Sequence, residues 1–378
     1  MGSIAYLGHN IFRAHQNPQL HPENPGRLVA IEAAIAKSDL PKRLVTLAPR
    51  VVTMGELCAV HSASYIELMD KAAVSAAKEE RLIQLDADTF MSAGTFDAAK
   101  LAAGAGLIAV EAVKSGNFAT SFIAARPPGH HALSGRQMGF CIFNNIAIAA
   151  RYARHRLGYK RVLIIDWDVH HGNGTQEIFY DDPSVCFISL HQDPIWPFSS
   201  GAIAEDGVRD GKGYNINIPL PAGTGDRGYL AAWDQIVAPI ALEYQPEIIL
   251  LSAGYDAHQL DPMGGQQITT TGFAMLSQRL ADLSKTTGAK VVCFLEGGYN
   301  KLSLSESVVV TLQMLSDQSS YNSNSSKIGS HIPEADAGFK STTSDFNPQL
   351  ADAQIESVRK HFCQYWRSLA LDSIRDYQ

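Results

Sequence analysis

Cysteine is scarce in this sequence, and its distribution is irregular. There are five cysteines in 378 residues, and none belongs to a CxxC pair. An odd, scattered set argues against a disulfide framework and against a cysteine zinc site, and it favours a reducing compartment. We therefore expect an intracellular protein of the cytoplasm, with organelle targeting left open. The cysteines are Cys58, Cys141, Cys186, Cys293 and Cys363.

The sequence also lacks long hydrophobic runs and an excess of positive charge. No apolar stretch is long enough to span a membrane, and the start MGSIAYLGHN lacks the basic and apolar regions of a secretory signal. The formal net charge of −7 argues against a general nucleic-acid surface. We expect neither a membrane nor a nucleic acid as partner, and the oligomeric state stays open.

Short apolar runs rich in β-branched residues alternate with segments of helical spacing. Such runs are typical of parallel strands buried on both faces, and the alternation predicts a doubly wound α/β domain. Helical patterns cover 95–113, 144–155 and 229–243, and Pro239 is expected to bend or end the last. The predicted strands are Ser121–Ala125, Arg161–Trp167, Val185–Leu190, Glu247–Ala253 and Lys290–Leu295.

Composition divides the chain into three parts. Residues 1–316 are predicted to form one globular domain, and 317–346 read as a polar linker or loop containing DQSSYNSNSS. Apolar residues then recur with helical spacing, so 347–378 is predicted to contain a C-terminal helix docked on the domain. The recurring residues are Leu350, Ile355, Val358, Phe362, Trp366 and Leu369.

Polar and glycine-rich segments follow nearly every predicted strand. Ligands of open parallel sheets gather beyond the carboxyl ends of the strands, so these segments predict one composite site. They read RPPGHH, DWDVHHGNG, SLHQ, SAGYDAH and LEGGY.

The stretch IDWDVHHGNG is a candidate metal site. Asp166, Asp168 and His170 start on one side of a strand, and Asp oxygen and His nitrogen both suit zinc. Asp256, at another strand end, is a third candidate ligand, and three protein ligands leave an open position for water. A hydrogen-bonded polar cluster without a metal is the alternative, and the same ligand types also admit iron.

Two further segments could supply catalytic groups beside such a metal. The stiff RPPGHH loop carries His130 and His131, which could act as general base and acid, although adjacent loop histidines are often surface residues. Tyr299 in LEGGY could donate its hydroxyl to a developing oxyanion, or could be an ordinary core tyrosine.

Taken in order, these segments resemble the zinc-dependent histone deacetylases, over roughly residues 4–315. Asn173, Trp167 and GTQEIF are similar to class II and to its bacterial and plant relatives, the histone deacetylase-like amidohydrolases. The resemblance implies the arginase–deacetylase α/β fold, a single domain with a central eight-stranded parallel sheet flanked by helices. The matching segments are RPPGHHA, GFCIFNN, VLIIDWDVHHGNGTQEIFYDDPSV, ISLHQ, LLSAGYDAH, DPMGG and LEGGYN.

The resemblance implies one Zn²⁺ per chain, held by Asp168, His170 and Asp256, and one or two structural K⁺ ions. An inner potassium site would use the backbone carbonyls of Asp166, Asp168 and His170 with Ser189 and Leu190, and an outer site would involve Phe179, Asp182, Val185 and Tyr214.

It also implies catalytic roles. His131 would be the main general base and acid, His130 would pair with Asp166, and Tyr299 would stabilise the tetrahedral intermediate. Asn173 stands where class I proteins have an aspartate. Because an amide supports an imidazolium less strongly than a carboxylate does, we predict a lower pKa for His131 than an aspartate would give.

The same resemblance predicts a substrate tunnel. Gly139 and Phe140 match one wall, and in DPIWPFSSG we choose Trp196 for the opposite wall, with Phe198 as second choice. A wider indole face would still pack along a lysine's methylene stem.

Four residues match the rim, the inner channel and the position that selects the substrate. Asp88 would accept hydrogen bonds from substrate backbone or be a solvated loop carboxylate, and His21 would lie at the rim. Arg27 would line an internal channel below the zinc. Met263 stands where acetylpolyamine deacetylases carry a glutamate, which favours acyl-lysine over a cationic polyamine.

The sequence thus predicts a zinc amidohydrolase that removes acetyl groups from lysine side chains of proteins or peptides. Acetylpolyamines or other small acetylated amines are the alternative substrates. A non-catalytic acyl-lysine binding protein is the alternative from another class, and an arginase-like hydrolase with two metals is a further one. Six other histidines are assigned structural, solvated or outer positions: His9, His15, His61, His155, His171 and His258.

Overall fold

An eight-stranded parallel sheet forms the centre of the computed structural model, which describes residues 3–316 and 348–370. The strand order is β2-β1-β5-β10-β9-β6-β7-β8, and every pairing between neighbours is parallel. This confirms the predicted fold class. The strands of this sheet are β1 (Ile4–Leu7), β2 (Leu44–Thr46), β5 (Thr120–Ile123), β6 (Val162–Asp166), β7 (Val185–Gln192), β8 (Asn215–Leu220), β9 (Ile248–Ala253) and β10 (Lys290–Leu295).

Helices cover the sheet, and a small antiparallel pair lies apart from it, formed by β3 (Ile83–Gln84) and β4 (Phe90–Met91). The helices are α1 (Gly26–Lys37), α2 (Met54–Leu57), α3 (Ala63–Glu79), α4 (Thr95–Lys114), α5 (Asn145–His155), α6 (Asn173–Phe179), α7 (Asp226–Ala232), α8 (Ala238–Tyr244), α9 (Thr270–Thr287), α10 (Lys301–Ser316) and α11 (Pro348–Phe362). Within the described ranges, no helix is both long and apolar enough to cross a bilayer.

The central strands form because their residues are apolar on both faces. Every residue of β6 and β9 is buried, so continuous runs rather than alternating ones mark these strands in the sequence. The helix α9 shows how the flanking helices are bounded. Thr269 caps its start by accepting a hydrogen bond from the Gly272 N–H, and Gly288 ends it at a φ of +74°.

Pro239 lies inside a helical stretch rather than at its end. The stretch 226–244 runs from α7 through a π-helical turn, Trp233–Val237, into α8. Proline has no N–H to donate to the preceding turn, and the wider turn before it accommodates this loss because the Ala238 N–H bonds to the Trp233 carbonyl instead.

The helix α11 packs on the edge strand β8 and on α7. Trp366 follows α11, donates from Nε1 to the Gly213 carbonyl at 2.9 Å, and packs its ring against Tyr214 and Tyr244. The side chain of Asp206 contacts the same segment, at 2.9 Å from His361 Nε2. The predicted linker 317–346 lies outside the described residues.

The strand order explains where a site forms. The chain leaves β5 and returns as β6, while β10 and β9 are inserted between these two strands. The carboxyl ends of these four central strands therefore share one edge at a switch point of the sheet. The segments after them carry RPPGHH, DWDVHHGNG, SAGYDAH and LEGGY, so the fold gathers the polar motifs that the sequence separates by up to 170 positions or so.

Candidate active site

Three buried side chains meet where β6 and β9 end. Asp168, His170 and Asp256 each offer a ligand atom, and these atoms all lie within 4.8 Å of one another. His170 Nδ1 is 3.2 Å from Asp168 Oδ1 and 3.2 Å from Asp256 Oδ2. Two buried carboxylates this close need a cation between them, and two oxygens with one imidazole nitrogen suit zinc or a related divalent metal. The residues predicted as zinc ligands therefore lie together and fit such an ion.

Backbone groups and glycines hold these ligands. The Gly297 N–H donates to Asp168 Oδ2 at 2.8 Å, and the Val169 N–H donates to Asp256 Oδ1 at 3.0 Å. A Cβ on Gly254 would lie 2.0 Å from Asp168 Oδ2, and one on Gly297 would lie 2.0 Å from Asp256 Oδ2. Because only glycine permits this approach, the glycines of SAGYDAH and LEGGY are part of the site.

The two histidines of the RPPGHH loop have different partners. His130 Nδ1 lies 3.0 Å from Asp166 Oδ2, and His131 Nδ1 lies 2.8 Å from Asn173 Oδ1. Their rings are 3.8 Å apart between centroids. Asn173 also points its amide nitrogen at Met138 Sδ, which fixes its oxygen towards His131. An amide oxygen only accepts, so His131 carries its hydrogen on Nδ1 and leaves Nε2 free.

These surroundings move the two histidine pKa values in opposite directions. Burial disfavours a charge on His130, but the carboxylates of Asp166, Asp168 and Glu296 outweigh burial and raise its pKa to about 10. The pKa of His131 lies well below its ordinary value, first because the ring is buried and then because the positive charge of the neighbouring His130 opposes a second one. Such a pair holds one proton and one free base at neutral pH.

Burial is the main cause of the low pKa of His131. We predicted from the sequence only that Asn173 gives a lower pKa than an aspartate at that position would. In the structure burial has the largest effect, and the hydrogen bond to Asn173 acts in the opposite direction, towards a higher pKa. The amide still raises the pKa less than a carboxylate at that position would.

Tyr299 is positioned by its backbone and by its ring. The Tyr299 N–H donates to Asp261 Oδ2 at 2.6 Å, the Arg27 guanidinium carbon lies 5.0 Å from the ring centroid, and the Phe140 ring lies 5.9 Å away. Burial, followed by the charge of Asp256, raises the pKa of Tyr299 well above its ordinary value. The hydroxyl therefore stays protonated and is available as a hydrogen-bond donor.

The predicted tunnel walls approach each other beside His131. A Cβ on Gly139 would lie 2.5 Å from the Trp196 ring, and that ring is 4.8 Å from His131 and 6.2 Å from His170 between centroids. Trp196 thus reaches the site. Phe198, the second choice, is 81% exposed and does not form this wall, because its side chain faces solvent two residues further on.

The rim residues lie around Phe140. The His21 ring is 4.6 Å from the Phe140 ring, and His21 Nε2 contacts the Asp88 carbonyl at 3.1 Å. Asp88 is half-buried, and burial followed by the charge of Asp86 raises its pKa. Met263 is half-buried in the loop after Asp256, at the position predicted to select the substrate.

The segments predicted to bind potassium also lie together. Asp166 pairs in register with Ser189 on the neighbouring strand, and Leu190 follows it. In the outer group, Asp182 N–H bonds to the Phe179 carbonyl, Val185 N–H to the Asp182 carbonyl, and Phe187 N–H to the Tyr214 carbonyl.

Two buried carboxylates at the site were quoted within motifs but given no role by the sequence argument. Glu296 Oε2 accepts the Gly129 and His130 N–H groups at 2.7 and 3.2 Å. Asp261 accepts the backbone N–H groups of Tyr299 and Asn300. In the sequence, only their position at or near a strand end indicated a role. Their partners are backbone N–H groups, which residue types do not reveal.

The six histidines that were predicted to have no catalytic role have contacts outside the metal cluster or lie exposed. His15 and His61 are buried and hydrogen-bonded to Thr95 and to the Leu133 carbonyl. His258 contacts Thr270, and His171 contacts Ser200 at 2.9 Å. His9 caps a short 3-10 helix, and His155 is exposed at the end of α5.

A parallel sheet of this order, with a buried Asp–His–Asp group at its carboxyl edge, defines the arginase–deacetylase class of α/β proteins. Comparison with known proteins narrows the class. Residues 21–315 match the family model of the histone deacetylase domain. The crystal structure of the HDA15 HD domain superimposes with a TM-score of 0.84, at 33% identity and over 99% of both chains. The chain therefore belongs to the histone deacetylase family, and the predicted resemblance is confirmed.

Two relatives show the range of names within the family. Histone deacetylase 10, chloroplastic, of Oryza sativa subsp. japonica is 43% identical over 311 residues, which cover 79% of this chain and 70% of that protein. Polyamine deacetylase HDAC10 of Homo sapiens is 40% identical over 306 residues, which cover 79% of this chain and 45% of that protein. The family makes the chain a hydrolase with deacetylase activity, while the names differ in substrate and compartment.

Proposed function

We propose that the chain is a zinc-dependent amidohydrolase that removes acetyl groups from acetyl-lysine side chains of peptides or proteins. One observation carries the proposal: the neutral, hydrogen-bonded ring of His131 lies beside both the Asp168–His170–Asp256 cluster and the Trp196 wall, with ring centroids 6.0 Å from His170 and 4.8 Å from Trp196. A base, a metal-binding group and an apolar approach thus meet at one point.

Asp168, His170 and Asp256 would hold the cation. When bound, a divalent cation there polarises an amide carbonyl and lowers the pKa of the attacking water. Zinc suits the two oxygens and one nitrogen, and iron(II) suits the same donors. Within the described ranges no second group of three or more candidate ligands is found, which disfavours the arginase-like reaction with two metals.

The proton transfers follow from the two histidines. His131 accepts a proton from the attacking water at Nε2, the nitrogen that Asn173 leaves free, and returns it to the leaving amine. His130, charged and paired with Asp166, adds a fixed positive charge that keeps its neighbour neutral and stabilises negative charge developing nearby. The protonated Tyr299 hydroxyl donates to the oxyanion. A set of groups this complete argues against a protein that only binds acyl-lysine.

The substrate is inferred from the walls of the approach. Trp196, Gly139 and Phe140 present apolar surface along which the methylene stem of a lysine packs. Met263 offers no carboxylate to a second cationic amine, and Asp88 lies at the rim beside His21. Acetylpolyamines remain the alternative because the human relative is named a polyamine deacetylase.

We also infer one or two structural potassium sites. The carbonyls of Asp166, Asp168 and His170 would form the inner one with Ser189 and Leu190, where a monovalent cation would compensate buried Asp166. Phe179, Asp182, Val185 and Tyr214 would form the outer one.

The compartment stays open between the cytoplasm and a chloroplast, because the rice relative is named as chloroplastic.

A substrate panel tests the proposal. The zinc-loaded chain is assayed on acetyl-lysine peptides, longer acyl-lysine peptides, acetylspermidine and acetylputrescine, with metal content measured on the same sample. We expect the highest kcat/KM on acetyl-lysine peptides. A higher kcat/KM on the acetylpolyamines would identify these, and not acetyl-lysine, as the substrate class. Tight peptide binding without turnover would support a non-catalytic acyl-lysine binding protein.

A further inference from the structure

A buried ionic cluster lies behind the active site, and the reaction described above does not use it. Glu23 is fully buried, as are Arg27 and Arg126. Arg126 places its Nε and Nη2 groups on the two carboxylate oxygens of Glu23, and Arg27 Nη1 lies 3.2 Å from Glu23 Oε1. One carboxylate thus compensates two guanidinium groups, and within residues 3–316 and 348–370 no other acidic side chain bonds to either of them.

Arg126 connects Glu23 to the loop of the histidines. It is the first residue of the RPPGHH segment, and its Nη1 donates to the carbonyls of Phe12 and His15 at 3.1 and 3.0 Å. The far end of the loop is joined directly to the tyrosine segment LEGGY, because Glu296 Oε2 accepts the Gly129 and His130 N–H groups, whereas the start of the loop has no such contact with that segment among the described residues. The start of the loop therefore depends on the Glu23–Arg126 pair.

Arg27 connects the same carboxylate to the loop of the tyrosine. Its Nε donates to the Gly298 carbonyl at 2.6 Å and its Nη2 donates to the Glu296 carbonyl. Its guanidinium carbon also lies 5.0 Å from the Tyr299 ring centroid. Among the described residues, Glu23 is the side chain that bonds to both Arg126 and Arg27.

The remaining contacts of Glu23 fix its own position. Oε2 accepts from Asn17 Nδ2 at 2.9 Å and lies 3.2 Å from His15 Nε2, and His15 in turn contacts Thr95. Burial lowers the pKa of His15 and outweighs the hydrogen bond to Glu23, which acts to raise it. The arginine Arg126 outweighs burial at Glu23 and holds the pKa of that carboxyl well below its usual range.

We propose that Glu23 is a positioning residue that sets the histidine loop and the tyrosine loop in register with each other. It touches neither substrate nor metal ligands and acts through Arg126 and Arg27. This inference rests on the proposed deacetylation. If Glu23 loses its charge, two guanidinium groups remain buried without a carboxylate, so both loops shift relative to the metal cluster.

The test is the Glu23→Gln variant of the full chain, loaded with zinc. Displacing catalytic groups by about 1 Å costs up to roughly 100-fold, so we expect kcat to fall roughly 10- to 100-fold. Glu23 contacts the predicted rim residue His21 only through backbone atoms, which the substitution leaves in place, so KM should stay within about threefold. Hydrogen exchange of the peptide covering 126–133 should become faster, while metal content stays that of the parent.

Glu32→Gln is the matched control. Glu32 lies on the same helix as Arg27 and pairs with Arg13 at the surface, so its loss should leave kcat and the exchange of 126–133 unchanged. The single variant Arg126→Met and the double variant Glu23→Gln/Arg126→Met complete a double-mutant cycle. If the two residues act as one unit, the double variant is no slower than either single variant.

Each outcome decides between explanations. Parental kcat and exchange in Glu23→Gln would overturn the inference. If that variant does not fold, the double variant removes one of the two unpaired charges and leaves only Arg27 without a carboxylate, and parental kcat there would overturn the inference equally. If the parent turns over no acetylated amine at all, the proposed function fails, and faster exchange of 126–133 in Glu23→Gln still reports on the coupling.

Discussion

His131 Nδ1 lies 2.8 Å from Asn173 Oδ1, whereas its neighbour His130 places Nδ1 3.0 Å from the carboxylate of Asp166. The adjacent imidazoles thus differ in the charge of their partners. His130 is paired with the anionic carboxylate of Asp166, and His131 is paired with the neutral amide of Asn173. This difference, together with burial, keeps the proton on His130 and leaves Nε2 of His131 free as a base.

Replacing Asn173 with aspartate should move the pH dependence of the reaction. A carboxylate beside Nδ1 raises the pKa of His131, so a higher pH is needed to keep it neutral. We expect the acidic limb of the kcat/KM profile to shift upward by about one pH unit. The profile of Asn173→Asp is compared with that of Asn173→Ser, which supplies no charge. Superimposable profiles for Asn173→Asp and the parent would contradict the assignment of His131.

Met263 should determine the choice between peptides and polyamines. Met263→Glu adds a carboxylate near the tunnel, which attracts the distal ammonium of acetylspermidine. We expect kcat/KM for acetylspermidine to rise roughly tenfold, equivalent to about 1.4 kcal/mol, relative to an acetyl-lysine peptide. Met263→Gln has the same size without charge and should leave the ratio near that of the parent. An equal rise in both variants would mean that charge at this position does not select the substrate.

The two aromatic residues after β7 should differ in their effect on substrate binding. Trp196→Ala removes the wall beside His131, and KM for an acetyl-lysine peptide should rise roughly tenfold through lost apolar contact. Phe198 is exposed, so Phe198→Ala should change KM by less than about twofold. The reverse order of effects would assign the wall to Phe198.

The attachment of the C-terminal helix should weaken in acid. Asp206 is buried, which opposes its charge, but hydrogen bonds from Lys212, His361 and Tyr365 outweigh burial and lower its pKa. A carboxyl with a lowered folded-state pKa stabilises the fold above its unfolded-state pKa of about 3.9, and this contribution disappears as pH falls through the folded-state value.

The measurement compares the free energy of unfolding of the parent with that of Asp206→Asn from pH 7 to pH 2. We expect the variant to be less stable by about 1–3 kcal/mol at pH 7, and this difference to vanish in acid. Asp352→Asn, which breaks an exposed pair with Arg227, is the control and should cost less than about 1 kcal/mol. A difference that does not change with pH would exclude Asp206 as the titrating group.

The sequence predicted the parts of the site that lie next to strand ends. Asp168, His170 and Asp256 could be proposed as ligands because each follows an apolar run, and parallel strands end at one edge. The order of the eight strands did not follow from periodicity, since pairing between distant strands depends on the packing of the whole chain. The resemblance implied only the number of strands, and their order was not predicted.

Contacts between distant polar residues were not predictable. Glu23 and Arg126 are 103 positions apart, and neither shows a local pattern that indicates a bond to the other. The dominance of burial in the pKa of His131 was missed for a similar reason, because exposure is a property of the folded chain. Pro239 was read correctly as a disturbance of a helix, yet the π-helical turn that absorbs it requires the neighbouring packing.

The most direct test of the account measures metal content and turnover together in Asp256→Ala. The parent should hold about one zinc ion per chain and deacetylate an acetyl-lysine peptide, because three protein ligands complete the site. Asp256→Ala should lose both the zinc and the activity, while Asp97→Ala, at an exposed pair with Lys100, should lose neither. A variant at Asp256 that keeps its zinc and turns over peptide at the parental rate would contradict the assignment of the metal site and of the reaction built on it.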